Sequence, residues 1–523
     1  MNYFLIISLI LFSVGGMFSC QRQLQMLQQN SYYPSRYFGW VKSTHFGTYK
    51  YSLLFLIAAL CCPDYLLPVY AAVQLVFRIA RQQKNHKASI KKLVYTGRVK
   101  RLIFTQSLLY VILIVLAAFL PTAALYVSAV VIALSHFPVG TMLLAFYINK
   151  PVETAISNWY INDAKRILGL NKNLITIGVT GSFGKTSVKF ILNRILSEKY
   201  NTLATPESFN TPMGIVRTVR GSMTPATEVF IAEMGAKNIG DIKELCDICH
   251  PLYGIITAVG AQHLETFKNV DNVASTKFEL ADCCLKNDRG KIYVNFDSEA
   301  AKTKAQSLNC DEKIVSFGCD GATAIAKNIT LTGDGTRFEM EYKGHSFPLS
   351  CKLLGRHSIT NILGAAAIAL DLGVSEQQIR FAVSSLKAAP HRLELKPFIN
   401  GSTLIDDAYN SNPVGCLEAV NVLSSFENKK KIIVTPGLVE LGDKEYECNY
   451  NLGAAAAEKC DVIILVGKKR AIPMEEAINK TEFEKESLYI ADSFADAMKI
   501  LQTITDSNSV VLFENDLPDN YAG

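Results

Sequence analysis

The sequence has no cysteine framework. Its thirteen cysteines follow no regular spacing, and several, among them Cys61, Cys62, Cys283 and Cys284, sit in apolar surroundings. That pattern fits reduced, buried thiols and argues against a disulfide-stapled secreted module. Cys246 and Cys249 have the gap of a zinc half-site, but residues 239–249 read as a helix and no second pair follows at ligand spacing. A dispersed basic surface is missing as well. The formal net charge of +6 owes much to residues 78–101, which hold nine Lys or Arg and no acidic residue. The remainder is nearly balanced, so no nucleic-acid partner is expected.

What the chain does have is an uneven distribution of apolar residues, which make up 49% of its 523 positions and concentrate before Lys150. Residues 3–18 form an apolar run without the positive start of a signal peptide and read as a retained anchor. Residues 51–79 are apolar but broken by Pro63 and Asp64, as one tilted span or a hairpin of two short ones. Residues 102–120 and 122–148 give two more runs, with Pro121 at the turn. The basic 78–101 stretch would lie on the cytosolic side, and the chain would emerge there at Lys150. Polar residues do not recur along these runs as a transport path requires. The expectation is a multi-pass protein of the cytoplasmic membrane: a transmembrane region over 1–150, a linker over 151–172, catalytic domains facing the cytosol, and membrane lipid as a partner.

Beyond Lys150 the pattern changes to strands alternating with helices, which defines an α/β chain. Residues 174–179 are a β-branched run, followed by Thr180-Gly181-Ser182-Phe183-Gly184-Lys185-Thr186-Ser187 and then a helical pattern through Ile191, Leu192 and Ile195. Strand, glycine turn and helix together make a phosphate loop. Backbone N–H groups and the helix N-terminus face phosphate oxygens, Lys185 neutralises charge, and the Thr186 hydroxyl suits Mg2+. The strict motif wants Gly where Val179 stands; the glycine sits one place earlier, at Gly178. Downstream, a buried-strand run over 229–232 ends in Glu233, and another over 253–259 leads to His263. Polar groups at strand C-terminal tips lie where open α/β sheets bind ligands.

With these residues in order, the chain resembles the Mur ligase superfamily. The motifs that carry the resemblance are the 180–187 loop, Glu233-Met234-Gly235-Ala236, His263-Leu264-Glu265 and Lys277-Phe278-Glu279-Leu280. They continue with Leu354-Gly355-Arg356-His357 and Asn361, Pro390-His391-Arg392-Leu393-Glu394, and Asp406-Asp407-Ala408-Tyr409-Asn410-Ser411-Asn412-Pro413. The resemblance implies a central P-loop ATPase domain over 173–388 and a C-terminal Rossmann-like domain over 389–523. It implies ATP and two Mg2+ as cofactors and amide formation through an acyl phosphate. Thr180, Gly181, Ser182, Gly184, Lys185, Thr186 and Ser187 would hold the phosphates. Thr186, Glu233, His263 and a carbamylated Lys277 would serve the metals, and Lys185, Glu233, His263 and Lys277 the catalysis. His357, Asn361, Arg392, Asp407 and Tyr409 would meet the nucleotide, while Asn210 and Thr211 would touch substrate. The expected partners are a muramyl peptide acceptor, nucleotide- or lipid-linked, and D-alanyl-D-alanine or another amine.

Two departures stand out. Apolar runs replace the usual uridine-nucleotide domain, and Phe513-Glu514-Asn515-Asp516 is acidic where the family carries a Lys-Gly-Ser-Arg-like loop. Competing readings are an amidating Mur-like subunit, whose four-cysteine zinc insert is not found, and a non-catalytic nucleotide-binding scaffold.

Overall fold

The computed structural model describes residues 3–45, 48–63, 65–88, 92–120, 124–207, 209–260, 264–308, 310–333, 335–408, 412–439 and 441–515. The chain separates at Trp159/Tyr160 into two compact units, and each is taken by itself.

The first unit is helical. Its helices include Tyr3–Gln29, Pro34–His45, Thr48–Leu60, Leu67–Ala88, Gly97–Phe119 and Ala124–His136. Thr96 caps Gly97–Phe119 by accepting from the Val99 N–H, and Arg101 grips Glu153 with two bonds of 2.6 and 2.9 Å. The multi-pass placement is not upheld. Among the described residues only Tyr3–Gln29 and Gly97–Phe119 are long and apolar enough to cross a bilayer, and Ala124–His136 meets Pro138–Leu170 at a 100° bend. Residues 51–79 fall into Thr48–Leu60 and Leu67–Ala88, divided near Pro63. Length is the physical reason: a 13-residue helix such as Thr48–Leu60 reaches only about 20 Å, short of a hydrocarbon core of about 30 Å. Asp64 and Pro121 lie outside the described residues, and residues 151–170, expected as linker, are helical.

The second unit contains two sheets. The first has β1 (Ile175–Thr180), β2 (Thr202–Ala204), β3 (Val229–Glu233), β4 (Tyr253–Ile256), β5 (Lys291–Asn295), β6 (Ile314–Gly318), β7 (Ala324–Thr332), β8 (Gly335–Tyr342) and β9 (His345–Cys351). Their order is β2-β3-β1-β4-β5-β6-β7-β8-β9. Strands through β7 are parallel, and β8 and β9 add an antiparallel meander. Parallel strands are covered on both faces, so β3 reads as an unbroken buried run, Val229 to Glu233. From β1 the chain first builds outward through β2 and β3, then crosses to β4 on the other side. That reversal leaves a crevice beyond the C-terminal ends of β1, β3 and β4. Helix Lys185–Leu196 starts there and buries Val188, Ile191, Leu192 and Ile195 against Ile177 and Val179. The alanine-rich helix Arg356–Asp371 packs into the same core through Ala365, Ala366 and Ala369.

The second sheet comprises β10 (Glu394–Pro397), β11 (Thr403–Asp407), β12 (Lys430–Thr435), β13 (Val462–Val466), β14 (Leu488–Ala491) and β15 (Ser509–Glu514), ordered β10-β11-β15-β12-β13-β14. Only β10 runs antiparallel. Its helix Glu445–Lys459 carries Glu445 and Glu447 in the first turn, where acidic residues suit a helix N-terminus. Gly453 brings this helix against Lys468–Ile478: a Cβ there would lie 2.6 Å from the Met474 backbone. Alanine gains about 1 kcal/mol of helix propensity, but backbone overlap costs typically 1–3 kcal/mol. Gly453→Ala should therefore lower the chemical-denaturation midpoint, where propensity alone would raise it.

Candidate functional site

The site grows from the loop between β1 and its following helix. Gly181 adopts φ 150°, and a side chain there would fall 1.9 Å from Thr257 Oγ1, so the loop turns where only glycine fits. The Ser182 and Phe183 N–H groups donate to the Ala258 carbonyl at 2.7 and 3.3 Å, fastening the loop to the end of β4. Ser182 Oγ donates to the Gly260 carbonyl at 3.2 Å, and Thr180 Oγ1 to the Met234 carbonyl at 2.9 Å. The first turn of Lys185–Leu196, whose N-cap Gly184 offers no side chain, has the N–H groups that suit an anion. Asn361 approaches so closely that a Cβ on Gly184 would lie 3.0 Å from its Oδ1.

Lys185 folds back over the loop, donating to the Gly181 and Ser182 carbonyls at 2.7 and 3.0 Å. Burial pulls its ammonium down to about 8; Glu233 works in the opposite direction and Arg392 adds to the fall. It stays mostly protonated at neutral pH. One helical position on, Thr186 Oγ1 lies 3.1 and 3.2 Å from the two oxygens of Glu233, which β3 delivers at its tip. Neighbouring ligands of an octahedral Mg2+ at about 2.1 Å stand about 3 Å apart, so a hydroxyl and a carboxylate in this relation fit that ion. Asn210 Nδ2 donates to Glu233 Oε1 at 3.1 Å, and Thr205 Oγ1 accepts from the Glu233 N–H at 3.0 Å. Thr211 caps helix Pro212–Ser222 by accepting from the Gly214 N–H.

Sequence reading missed Lys189. Its Nζ lies 2.9 Å from Glu233 Oε2, with side chains 0% and 1% exposed, and it also donates to the Glu207 carbonyl. The signal was available: Lys189 sits one turn after Lys185, inside the stripe that continues through Leu192 and Leu196. Lys277, on helix Val270–Cys284, is 1% exposed; burial first, then the Lys185 charge, hold its amine well below the ordinary lysine range. His263 and Tyr409 lie outside the described residues. Among the described residues no group of three or more His, Cys, Asp or Glu forms a self-contained metal cage.

Around these groups lies a cleft of about 910 Å³, lined by Lys185, Thr186, Ser187, Asn210, Glu233, His357, Asn361, Arg392 and Asp407 among others. Burial, assisted by Arg392, keeps the His357 imidazole below its usual range and therefore neutral. The two adjacent aspartates separate in role. Burial opposes Asp406, but Lys396 at 2.7 Å and His391 at 2.8 Å hold it in the anionic range. Burial raises Asp407 to about 6 despite Arg392, and it accepts the Leu393 N–H at 3.2 Å.

A strand-loop-helix turn, a carboxylate and hydroxyl spaced as Mg2+ ligands would be, Arg392 from the turn before β10 and Asp407 from the tip of β11 fit a nucleotide-dependent ligase site. Family models agree: the Mur ligase middle domain matches residues 179–369, and the Mur ligase glutamate ligase domain matches 391–514. The chain belongs to the Mur ligases, ATP-dependent acid–amino-acid ligases that use Mg2+. More narrowly, it is similar to the UDP-N-acetylmuramoyl-tripeptide–D-alanyl-D-alanine ligase of Escherichia coli (strain K12), with 29% identity over 335 residues covering 62% of this chain and 73% of the relative. The enzyme of that name from Bacillus subtilis (strain 168) is 29% identical over 340 residues, covering 65% and 72%. A crystal structure of MurF from Acinetobacter baumannii superposes with a TM-score of 0.62 at 25% identity, covering 70% of this chain and 78% of that one. The matched domains begin at residue 179, and these relatives lend the N-terminal helices no support as spans. The multi-pass cytoplasmic-membrane localisation is withdrawn, and the lipid partner that rested on the same runs is not shown.

Asp407 gives a pH test. Its native pKa of about 6 lies above the ordinary 3.8, so between these values the native state binds more protons than the unfolded chain. Its contribution to stability is present below pH 4 and disappears as pH rises through about 6. Asp407→Asn should flatten that part of the melting temperature against pH curve in nucleotide-free protein.

Proposed function

We propose that the protein uses ATP to join D-alanyl-D-alanine to a UDP-linked muramyl tripeptide. The supporting observation is the convergence of Lys185, Thr186, Glu233, Arg392 and Asp407 on one cleft, together with the names of the relatives. In this reading residues 173–388 form the P-loop ATPase domain and 389–523 the Rossmann-like domain. Neither relative favours the amidating or scaffold alternatives.

A carboxylate resists attack by an amine because oxide is a poor leaving group. Phosphorylation of the tripeptide carboxylate by ATP releases ADP and replaces oxide with phosphate. The amine then attacks the acyl carbon, the C–O bond to phosphate breaks, and the amine loses a proton. The protein's contribution is placement and charge. The first-turn amides, Ser187 and Lys185 hold the transferring phosphoryl group; Thr186 and Glu233 hold Mg2+, which offsets phosphate charge. Asn361 and the neutral His357 line the nucleoside side, with Tyr409 assigned there by sequence alone. Arg392 brings positive charge from the second sheet, Asp407 orients Arg392, and Asn210 stands at the acceptor end, with Thr211 shaping its helix.

Lys277 fits a carbamate. An amine kept neutral by burial is the form that adds CO2, and the resulting anion would relieve the conflict with Lys185 and assist a second Mg2+, with His263 as its sequence-assigned partner. Lys277→Ala should lose activity and regain part of it with formate or acetate; full activity without added carboxylate would refute this role.

The direct test is phosphate release from ATP and Mg2+ with UDP-muramyl tripeptide and D-alanyl-D-alanine, with product mass as readout. Lys185→Met should lower turnover by about 10³-fold, the scale of losing one charge-stabilising group at a transferring phosphate. No release with the wild-type chain would sink the assignment.

A further inference from the structure

We infer that Lys189 is a positioning residue: its buried ammonium holds the Glu233 carboxylate in the orientation the divalent cation requires and ties the stretch bearing Glu207 and Asn210 to that same carboxylate. The inference rests on the ligase reading above and deepens it.

The geometry separates Lys189 from the groups that meet substrate. Lys185 and Thr186 line the cleft, whereas Lys189 does not and lies behind Glu233, with no exposed side-chain surface. Its bond goes to Oε2, while Asn210 takes Oε1 and Thr186 reaches both oxygens. Three donors shared over two oxygens leave the carboxylate plane little freedom to turn. The Lys189 ammonium also donates to the carbonyl of Glu207, a non-glycine residue at φ 40°. That backbone conformation is sparsely populated and persists where surroundings hold it. The same short stretch carries Asn210, whose carbonyl accepts the Gly235 N–H at 2.8 Å just beyond Glu233. One ammonium thus joins the phosphate-loop helix, the metal carboxylate and the acceptor-side segment.

The test uses the full-length chain, Mn2+ as the spectroscopic cation and ADP. Electron paramagnetic resonance titration of free Mn2+ should show Lys189→Met binding Mn2+ with ADP about 10–100-fold more weakly than wild type, the usual effect of removing a ligand-orienting partner. Amide exchange over residues 205–207 should also quicken, which loss of packing elsewhere would not produce. Lys189→Arg should recover part of the Mn2+ affinity. Mn2+ affinity of Lys189→Met within about twofold of wild type would overturn the inference. Should Lys189→Met fail to fold, the Lys189→Met/Glu233→Gln pair decides: recovery of folding identifies the stranded carboxylate as the defect and supports the inference, and continued failure makes Lys189 a packing residue and overturns it. Absence of Mn2+–ADP binding by wild type would instead overturn the ligase reading on which this one stands.

Discussion

A single carboxylate with almost no exposed surface organises the catalytic unit. Glu233 cannot be buried as an anion without partners, because an isolated charge in a protein interior costs several kcal/mol even after relaxation. Its partners come from separate parts of the chain: Thr186 and Lys189 from the helix after β1, Asn210 from the loop before Pro212–Ser222, and the Thr205 hydroxyl at its backbone. Satisfying one charge therefore requires β1, β3, the phosphate-loop helix and the 205–210 segment to be in register. The pairing of Ile175 with Val229 through Val179 with Glu233 supplies that register.

Charge in the cleft follows from the same constraint. Burial lowers both the Lys185 and the Lys277 amines, the Lys185 charge lowers Lys277 further, and Arg392, just ahead of β10, adds to the fall at Lys185. Against these stand Glu233 and Asp407, the latter raised to about 6. A polyanion with a divalent ion suits this set, phosphates beside Lys185 and the ion beside Glu233. Asp407 ends β11 and Arg392 precedes β10, so the second sheet and its approach border the same cleft as the phosphate-loop helix.

Much of this was legible because it is local. The phosphate loop announces itself as a β-branched run, glycines and an amphipathic helix within about twenty residues, and Glu233 ends an apolar run at a predictable strand tip. Asp406 and Asp407 were legible as a pair but not as individuals. Successive strand residues face opposite ways, and only the tertiary positions of Lys396 and Arg392 decide which carboxylate enters the cleft. Lys189 was hidden because a lysine on a surface helix ordinarily points to water; its partner lies 44 positions away. The apolar N-terminal runs were legible as composition, but breaks near Pro63 and between His136 and Pro138 set helix lengths that composition does not encode.

The Lys189–Glu233 pair is not explained by stability. Replacing a buried ion pair with apolar residues of similar volume is often neutral or stabilising by about 1–4 kcal/mol. A folding unit that already buries Val188, Ile191, Leu192 and Ile195 on the same helix has apolar alternatives for position 189. What an apolar residue cannot do is hold a carboxylate in a chosen direction before the cation arrives. Preorganised charge is worth most where reorientation would otherwise accompany the reaction, and a site handling a triphosphate and a divalent ion is such a place. The buried ammonium joins the two parts of this arrangement, bonding the Glu233 carboxylate on one side and the carbonyl of Glu207, held at φ 40°, on the other.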